Sequence, residues 1–312
     1  MSDVIATAFY FLLNMSIAAT LVGMIIASLR IIKRIPRNIV YVLWSLVFIR
    51  LVIPFAVPSK ASALIFFGRL IKKIVKVPVL GRDNLHVSMS NYVGAAEEYF
   101  PITYRNDNLK AVFEGASFIW IAGVGIAILG VIILYKVSRN ELGRAWKLSD
   151  NIYVSSKVES PIVFGIFRQR VIIPSGIDEE SPELKFILLH EQVHMKRHDN
   201  FIRLLAIFTA CLHWFNPFIW MFLRLFLDDM EISCDLKATA RLHAEEKKKY
   251  AQALVNMSSV QKVFLSAAFG KNIVKTRVIN ILNYKRISLF ATVVLTFFVL
   301  AIVVALITNP VL

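Results

Sequence analysis

Four runs of this chain are so apolar and so long that they settle its solvent before any other feature is read. Residues 4–29, 39–57, 116–135 and 287–307 each come close to or exceed the roughly 20 apolar residues a helix needs to cross a hydrocarbon core of about 30 Å. Hydrophobic residues make up 57% of the 312 and the mean hydropathy is +0.63, too apolar for an ordinary soluble globule. No basic stretch precedes the first run, and it is too long for the core of a cleavable signal peptide. The expected fold class is a mainly α membrane protein with four transmembrane helices and a polar block inserted before the last.

Lysine and arginine placement orients the spans. Arg30, Lys33, Arg34 and Arg37 fill the link after the first, Lys136, Arg139, Arg144 and Lys147 follow the third, and Lys285 and Arg286 precede the last. These put both termini outside the cell membrane and the 136–286 block in the cytoplasm. The basic 59–111 loop lies outside, and loops of that length follow the charge rule poorly. The expected divisions are 1–58, the first two spans; 59–111, an extracellular loop; 112–135, the third span; 136–286, the cytoplasmic domain; and 287–312, the last span with a short tail.

The net charge of +15 fits contact with anionic lipid, because the basic residues cluster beside the spans, and no direct contact with nucleic acid is expected. Within the outer loop, residues 64–77 alternate apolar and basic pairs as a helix lying on the membrane surface would. Cys211 and Cys234 both fall on the reducing side and imply no disulfide framework.

Inside the polar block, two β-rich runs flank Phe167-Arg168-Gln169-Arg170 and suggest a hairpin. Ser181-Pro182-Glu183 then reads as a helix start. That helix runs through His190, Glu191 and His194. Histidines four apart share a helix face and can present both imidazoles to one ion, with Glu191 beside them to take a proton from a water whose pKa the metal lowers. A third ligand has to come from elsewhere. Glu231 is the best candidate, and Asp235, four residues on, can accept the outer N–H of a ligand histidine. Asp228 and Asp229 compete for the ligand role. His198 falls on the face of His194 a turn farther from His190 and reads as a surface or supporting residue; His213 and His243 read as structural or partner-contacting.

Between His194 and Glu231 lies the apolar stretch 201–227. Were it one crossing, the two would sit on opposite sides of the membrane. Asn216-Pro217 interrupts it near the middle, which favours two helices folded back on each other.

His190 to Asp199, then Leu212 to Trp220, then Met230 to Asp235 resemble the BlaR/MecR-type antirepressor membrane metallopeptidases, whose known members sense penicillins in Gram-positive bacteria. Residues 160–174, 42–54 and 267–282 look like that family too, so the likeness covers most of the chain and is weakest over 59–111. The resemblance implies a cytoplasmic α+β zinc protease domain of the thermolysin-like gluzincin class, set among four spans. It implies one zinc ion per chain on His190, His194 and Glu231, Glu191 as catalytic base, and Asp235 behind a ligand. It further implies a signalling endopeptidase that cleaves itself, here within 266–277, or a cytoplasmic protein such as a dimeric transcriptional repressor, and a homodimer by analogy. In those sensors a penicillin-binding domain follows the last span, where five residues follow it here, the pattern of a short member lacking that sensor or of a chain that was cut; the 59–111 loop is the one sizeable candidate in this sequence for receiving an external signal.

Two other readings are weighed: a heat-shock-type quality-control zinc protease, and a signalling or immunity receptor in which zinc is structural and nothing is cut. His243 and Tyr250 are candidates to stabilise the oxyanion. The edge formed by Ile162, Val163, Phe164 and Gly165 is a candidate surface for aligning an extended substrate. Arg50 reads as a signal-relay charge or as a snorkelling or bundle-paired one, 245–249 as a solvated face, and Cys234 as a small buried residue.

Overall fold

Where the chain turns, and what it packs against there, places the histidines. The computed structural model describes residues 2–32, 35–53, 58–59, 107–142, 145–158, 160–177, 181–258 and 270–283, with short pieces between 293 and 310. The expected surface helix at 64–77, nearly all of the 59–111 loop, Asp178–Glu180 and most of the last span lie outside the described residues.

Helix α1 spans Ser2–Leu29 and α2 spans Arg37–Val52. Helix α2 is shorter than the expected 39–57 run. Its end at Ile53 adopts an extended conformation, as a residue before proline must, and Pro54 follows. Helix α3, Asp107–Leu142, is longer than the expected span because no proline stops it at either flank. Among the described residues, Val4–Leu29 and Val112–Asn140 are the helices long and apolar enough to cross a membrane. Pro58–Ser59 (β1) pairs in parallel with Asn309–Pro310 (β6) near the end of the chain.

The polar block opens with a small mixed sheet of β2 (Trp146–Ser149), β3 (Ile152–Ser155), β4 (Ile162–Phe164) and β5 (Arg170–Pro174), in the order β2-β3-β5-β4. Strands β4 and β5 form the expected antiparallel hairpin, whereas β3 runs parallel to β5. Gly165 opens the hairpin turn at φ 99°, and a side chain there would sit 2.4 Å from the Arg168 carbonyl oxygen. Val154, Val171 and Ile173 pack on Leu184 of the next helix.

That helix, α4, covers Pro182–Arg197, and its cap is the expected one: Ser181 Oγ accepts from the Glu183 amide at 3.2 Å. His198 breaks it in the left-handed conformation, and α5 (Asp199–Leu212) starts at once in a new direction. A turn at 213–216 leads into α6, Pro217–Ala238. The 201–227 stretch is therefore two helices with a reversal at Asn216-Pro217, as its sequence predicts. Helices α7 (Ala244–Ser258) and α8 (Gly270–Asn283) complete the block.

The reversal is fastened to all three earlier helices. Asn216 caps α6 through its side-chain oxygen and donates its amide to Ser16 and Thr20 of α1 at 2.7 and 2.8 Å. His213 donates to the Leu51 carbonyl of α2, and Trp120 of α3 donates to that of Leu212. The Trp214 ring fills the notch left by Gly123, where a Cβ would lie 2.2 Å from it. Below the turn, Val22, Ile26, Val40, Leu43, Trp44 and Val47 pack with Ile219, Phe222, Phe226 and Met230 in one core. Helix α6 thus begins in the apolar bundle and ends, about six turns later, in the polar block.

Candidate metal centre

Helical spacing puts His190 and His194 on one side of α4, and the structure turns their rings toward each other with the two Nε2 atoms 3.1 Å apart. Both side chains are nearly buried. His194 Nδ1 meets the Asp199 carboxylate at 2.6 Å; His190 Nδ1 meets the Tyr250 hydroxyl at 2.8 Å, which donates its own proton to Asp235, and lies 3.1 Å from that carboxylate. A carboxylate only accepts, and the Tyr250 oxygen has committed its proton to Asp235, so each Nδ1 carries the proton and both Nε2 lone pairs are aimed at one point. Glu231 approaches the same point from α6, its oxygens 3.5 Å from His190 Nε2 and 3.6 Å from His194 Nε2.

Two converging lone pairs and a carboxylate repel one another unless a cation lies among them. Ligand atoms about 2.1 Å from a tetrahedral ion are about 3.4 Å apart, and the separations observed bracket that value. The donor set therefore fits a divalent ion. Cys234 is the other group in reach, its Sγ within 4.8 Å of the histidine ligand atoms. Its thiol donates to the His190 carbonyl oxygen at 3.4 Å.

The electrostatics have the same sign. Burial disfavours charge on His194, yet Glu231 and Asp199 outweigh it and raise its pKa to about 11. Burial pushes Glu231 up, but His194, His190 and Arg203 hold it well below the usual carboxylate range. Without metal, the site draws protons into the place a cation would take. Half-buried Glu191, on α4 beside His190, has its carboxyl raised by burial, which suits a group that must take and return a proton.

Behind the histidines lies a layer the sequence only half disclosed. Asp235 is fully buried, lies 3.1 Å from His190 Nδ1, and accepts from the Tyr250 hydroxyl at 2.8 Å and from Arg277 at 2.7 and 2.8 Å. Burial would push its carboxyl up; Arg277 outweighs that and holds it at about 2. Tyr250 is behind His190 rather than over the Nε2 atoms, so the structure does not place it as an oxyanion donor. His243 is exposed at the start of α7, where its backbone amide donates to Glu246.

Other expectations are corrected. His198 does not continue the face of His194, because α4 ends at Arg197 and His198 is the exposed left-handed residue between helices. That break swings Asp199 beneath His194, a partner that helical spacing cannot reveal. Asp229 is not a competing ligand: Arg30, Arg37 and the Trp44 indole donate to its carboxylate, which faces α1 and α2. Strand β4 is an edge strand, and Asn200 donates to the carbonyls of Val163 and Gly165 at 2.8 and 3.0 Å. Of the expected self-cleavage stretch, 266–269 lie outside the described residues and the rest is in α8.

The BlaR1 peptidase M56 family matches residues 10–281. The regulatory protein BlaR1 of Bacillus licheniformis is 26% identical over 216 residues, 61% of this chain and 36% of that protein. The methicillin resistance mecR1 protein of Staphylococcus aureus (strain Mu50 / ATCC 700699) is 27% identical over 125 residues, 39% of this chain and 21% of that protein. The regulatory protein BlaR1 of Staphylococcus aureus is 26% identical over 154 residues, 47% of this chain and 26% of that protein. This chain thus spans about a third or less of the length of these curated relatives. The family match takes in most of α1 and α8 and every element between them, which carry the buried core and every residue described around the paired histidines: the chain belongs to the BlaR1 peptidase M56 family.

Proposed function

We propose that this protein is an integral-membrane zinc endopeptidase acting in signal transduction. One zinc ion per chain is held by His190, His194 and Glu231, with Glu191 as general base and Asp235 orienting His190. The observation that carries the reading is the convergence of two Nε2 lone pairs and the Glu231 carboxylate on one buried point. Glu231 is preferred to Cys234 because its two oxygens address both Nε2 atoms, while the thiol is engaged by a backbone carbonyl.

A zinc ion held there supplies a Lewis acid that polarises a carbonyl and lowers the pKa of water. Glu191 takes a proton from the water that attacks the scissile carbonyl, then delivers it to the leaving amine nitrogen. Asp199 and Asp235 hold the two imidazoles in the tautomer that keeps Nε2 free. Ile162, Val163, Phe164 and Gly165 align an extended peptide at the sheet edge. Asn200 fixes that strand relative to α4.

Four spans carry this domain, the last over 287–307, with both termini outside a bacterial membrane and the 136–286 block in the cytoplasm. The α5–α6 hairpin returns to the side from which it entered, so Glu231 and His190 share the cytoplasmic face. The target is the chain itself or a cytoplasmic protein such as a transcriptional repressor. Relatives named as regulatory and methicillin resistance proteins favour a regulatory target over broad degradation.

The test compares protein N-termini by mass spectrometry in cells making the wild-type chain or Glu191→Ala. New termini that require Glu191 are expected, and one within 266–277 identifies self-processing. Identical termini in both strains, with zinc retained by both proteins, would leave a zinc-binding receptor in place of a peptidase.

A further inference from the structure

Helix α8 lies close to the last apolar run in sequence, yet it reaches back into the metal centre through one side chain. Arg277 is nearly buried, and its guanidinium grips both oxygens of Asp235, Nε on one at 2.7 Å and Nη2 on the other at 2.8 Å. The same Nη2 is 3.3 Å from His190 Nε2, and Nη1 is 3.5 Å from a Glu231 oxygen. One residue therefore touches a proposed ligand histidine, the proposed carboxylate ligand and the carboxylate behind the histidine. One turn on, on the same face, Ile281 is buried against Phe186, Val193, Cys234, Tyr250 and Ala253. Ile281 seats the helix and Arg277 uses the seat.

We propose that Arg277 is a positioning residue of the metal site, so that the site is complete only while α8 is docked. The inference rests on the zinc reading above. A two-pronged guanidinium fixes the plane of a carboxylate as a single donor cannot. That plane sets where Asp235 meets the His190 Nδ1–H, and so where the Nε2 lone pair points. With the fork removed, Asp235 stays buried without its charge partner, its plane held by the Tyr250 hydroxyl alone among neutral donors. Displacing α8 from outside the block, by moving the segment that follows it, has the same consequence. The position of that segment is thereby coupled to the metal centre.

The experiment measures zinc affinity of the full-length chain in detergent, by competition with a chromophoric chelator. Wild type, His190→Ala, Arg277→Ala and Arg277→Lys are compared. Arg277→Ala is expected to bind zinc about 10-fold more weakly, the lower end for groups that support a ligand. Millimolar guanidinium should restore most of that loss, and Arg277→Lys should fall between. In an Asp235→Asn background the arginine substitution should add little, because its effect passes through that carboxylate. Wild-type affinity in Arg277→Ala overturns the inference alone. So does a loss that guanidinium leaves unchanged and that adds in full to Asp235→Asn, the result for a residue that merely supports folding. Zinc affinity unaffected by His190→Ala overturns the metal-site reading and this inference with it.

Discussion

Helix α6 carries two clusters of buried charge only two residues apart, and they are built to opposite ends. Asp229 points toward α1 and α2, where Arg30, Arg37 and the Trp44 indole all donate to it. Glu231 points the other way, toward α4, where it meets two histidine nitrogens whose lone pairs face it and each other. Both are acidic groups among basic ones on one helix. The first is closed, with acceptors matched by donors, and holds the helix to the apolar bundle. The second is open toward the histidines: Arg203 donates to Glu231 and Arg277 lies 3.5 Å from it, but its oxygens also face two Nε2 lone pairs, acceptors facing acceptors, and that gap calls for a cation. Charge content does not distinguish an anchor from a metal centre; the direction of the lone pairs does.

Substitutions should separate the two. Asp229→Ala leaves two arginines and a buried indole N–H without their acceptor and should destabilise the protein by about 3 kcal/mol. That is the low end for a broken buried pair, because the arginine side chains are 15% and 21% exposed. Thermal unfolding in detergent reads this loss, and zinc affinity per folded molecule should stay within about two-fold of wild type. A large drop in affinity would mean that the anchor and the metal centre are one unit.

Asp199→Asn should do the reverse. It keeps the shape and most of the packing beneath His194 but weakens the acceptor at Nδ1, and zinc affinity should fall about 10-fold with little change in unfolding temperature. An unchanged affinity would remove Asp199 from the centre. The smallest effect is expected from Tyr250→Phe, which takes one donor from Asp235 and the hydroxyl from His190 Nδ1 but leaves Asp235 within 3.1 Å of that nitrogen and Arg277 in place. Its cost is about 1 kcal/mol in zinc binding, less than the Asp199 change. A loss greater than that of Asp199→Asn would promote Tyr250 from support to a direct part in the centre.

Much of this arrangement is written locally. The capped start at Ser181-Pro182, the i,i+4 pair His190 and His194, the hairpin around 167–170 and the reversal at Asn216-Pro217 each depend on a few adjacent residues. Helix spacing, proline geometry and turn chemistry act over that range, so those features are legible in the sequence, as are the long apolar runs. What stayed hidden is instructive in each case. Asp199 is five residues past His194, on the wrong face of a continuous helix, and only the left-handed turn at His198 brings it under the ring. Arg277 is 42 residues beyond Asp235, and no periodicity links the two. Asp228, Asp229, Glu231 and Asp235 are all carboxylates on one short stretch of helix, and local sequence offers Asp229 as a rival ligand. The identity of the helix on each side of α6 gives Asp229 to the arginines and Glu231 to the histidines. Sequence alone thus determined the solvent, the helices and the chemistry that the paired histidines can perform. The tertiary structure decided which acid serves which histidine and which charge is only an anchor, because hydrogen bonds act over about 3 Å and their partners here come from helices far apart in the chain.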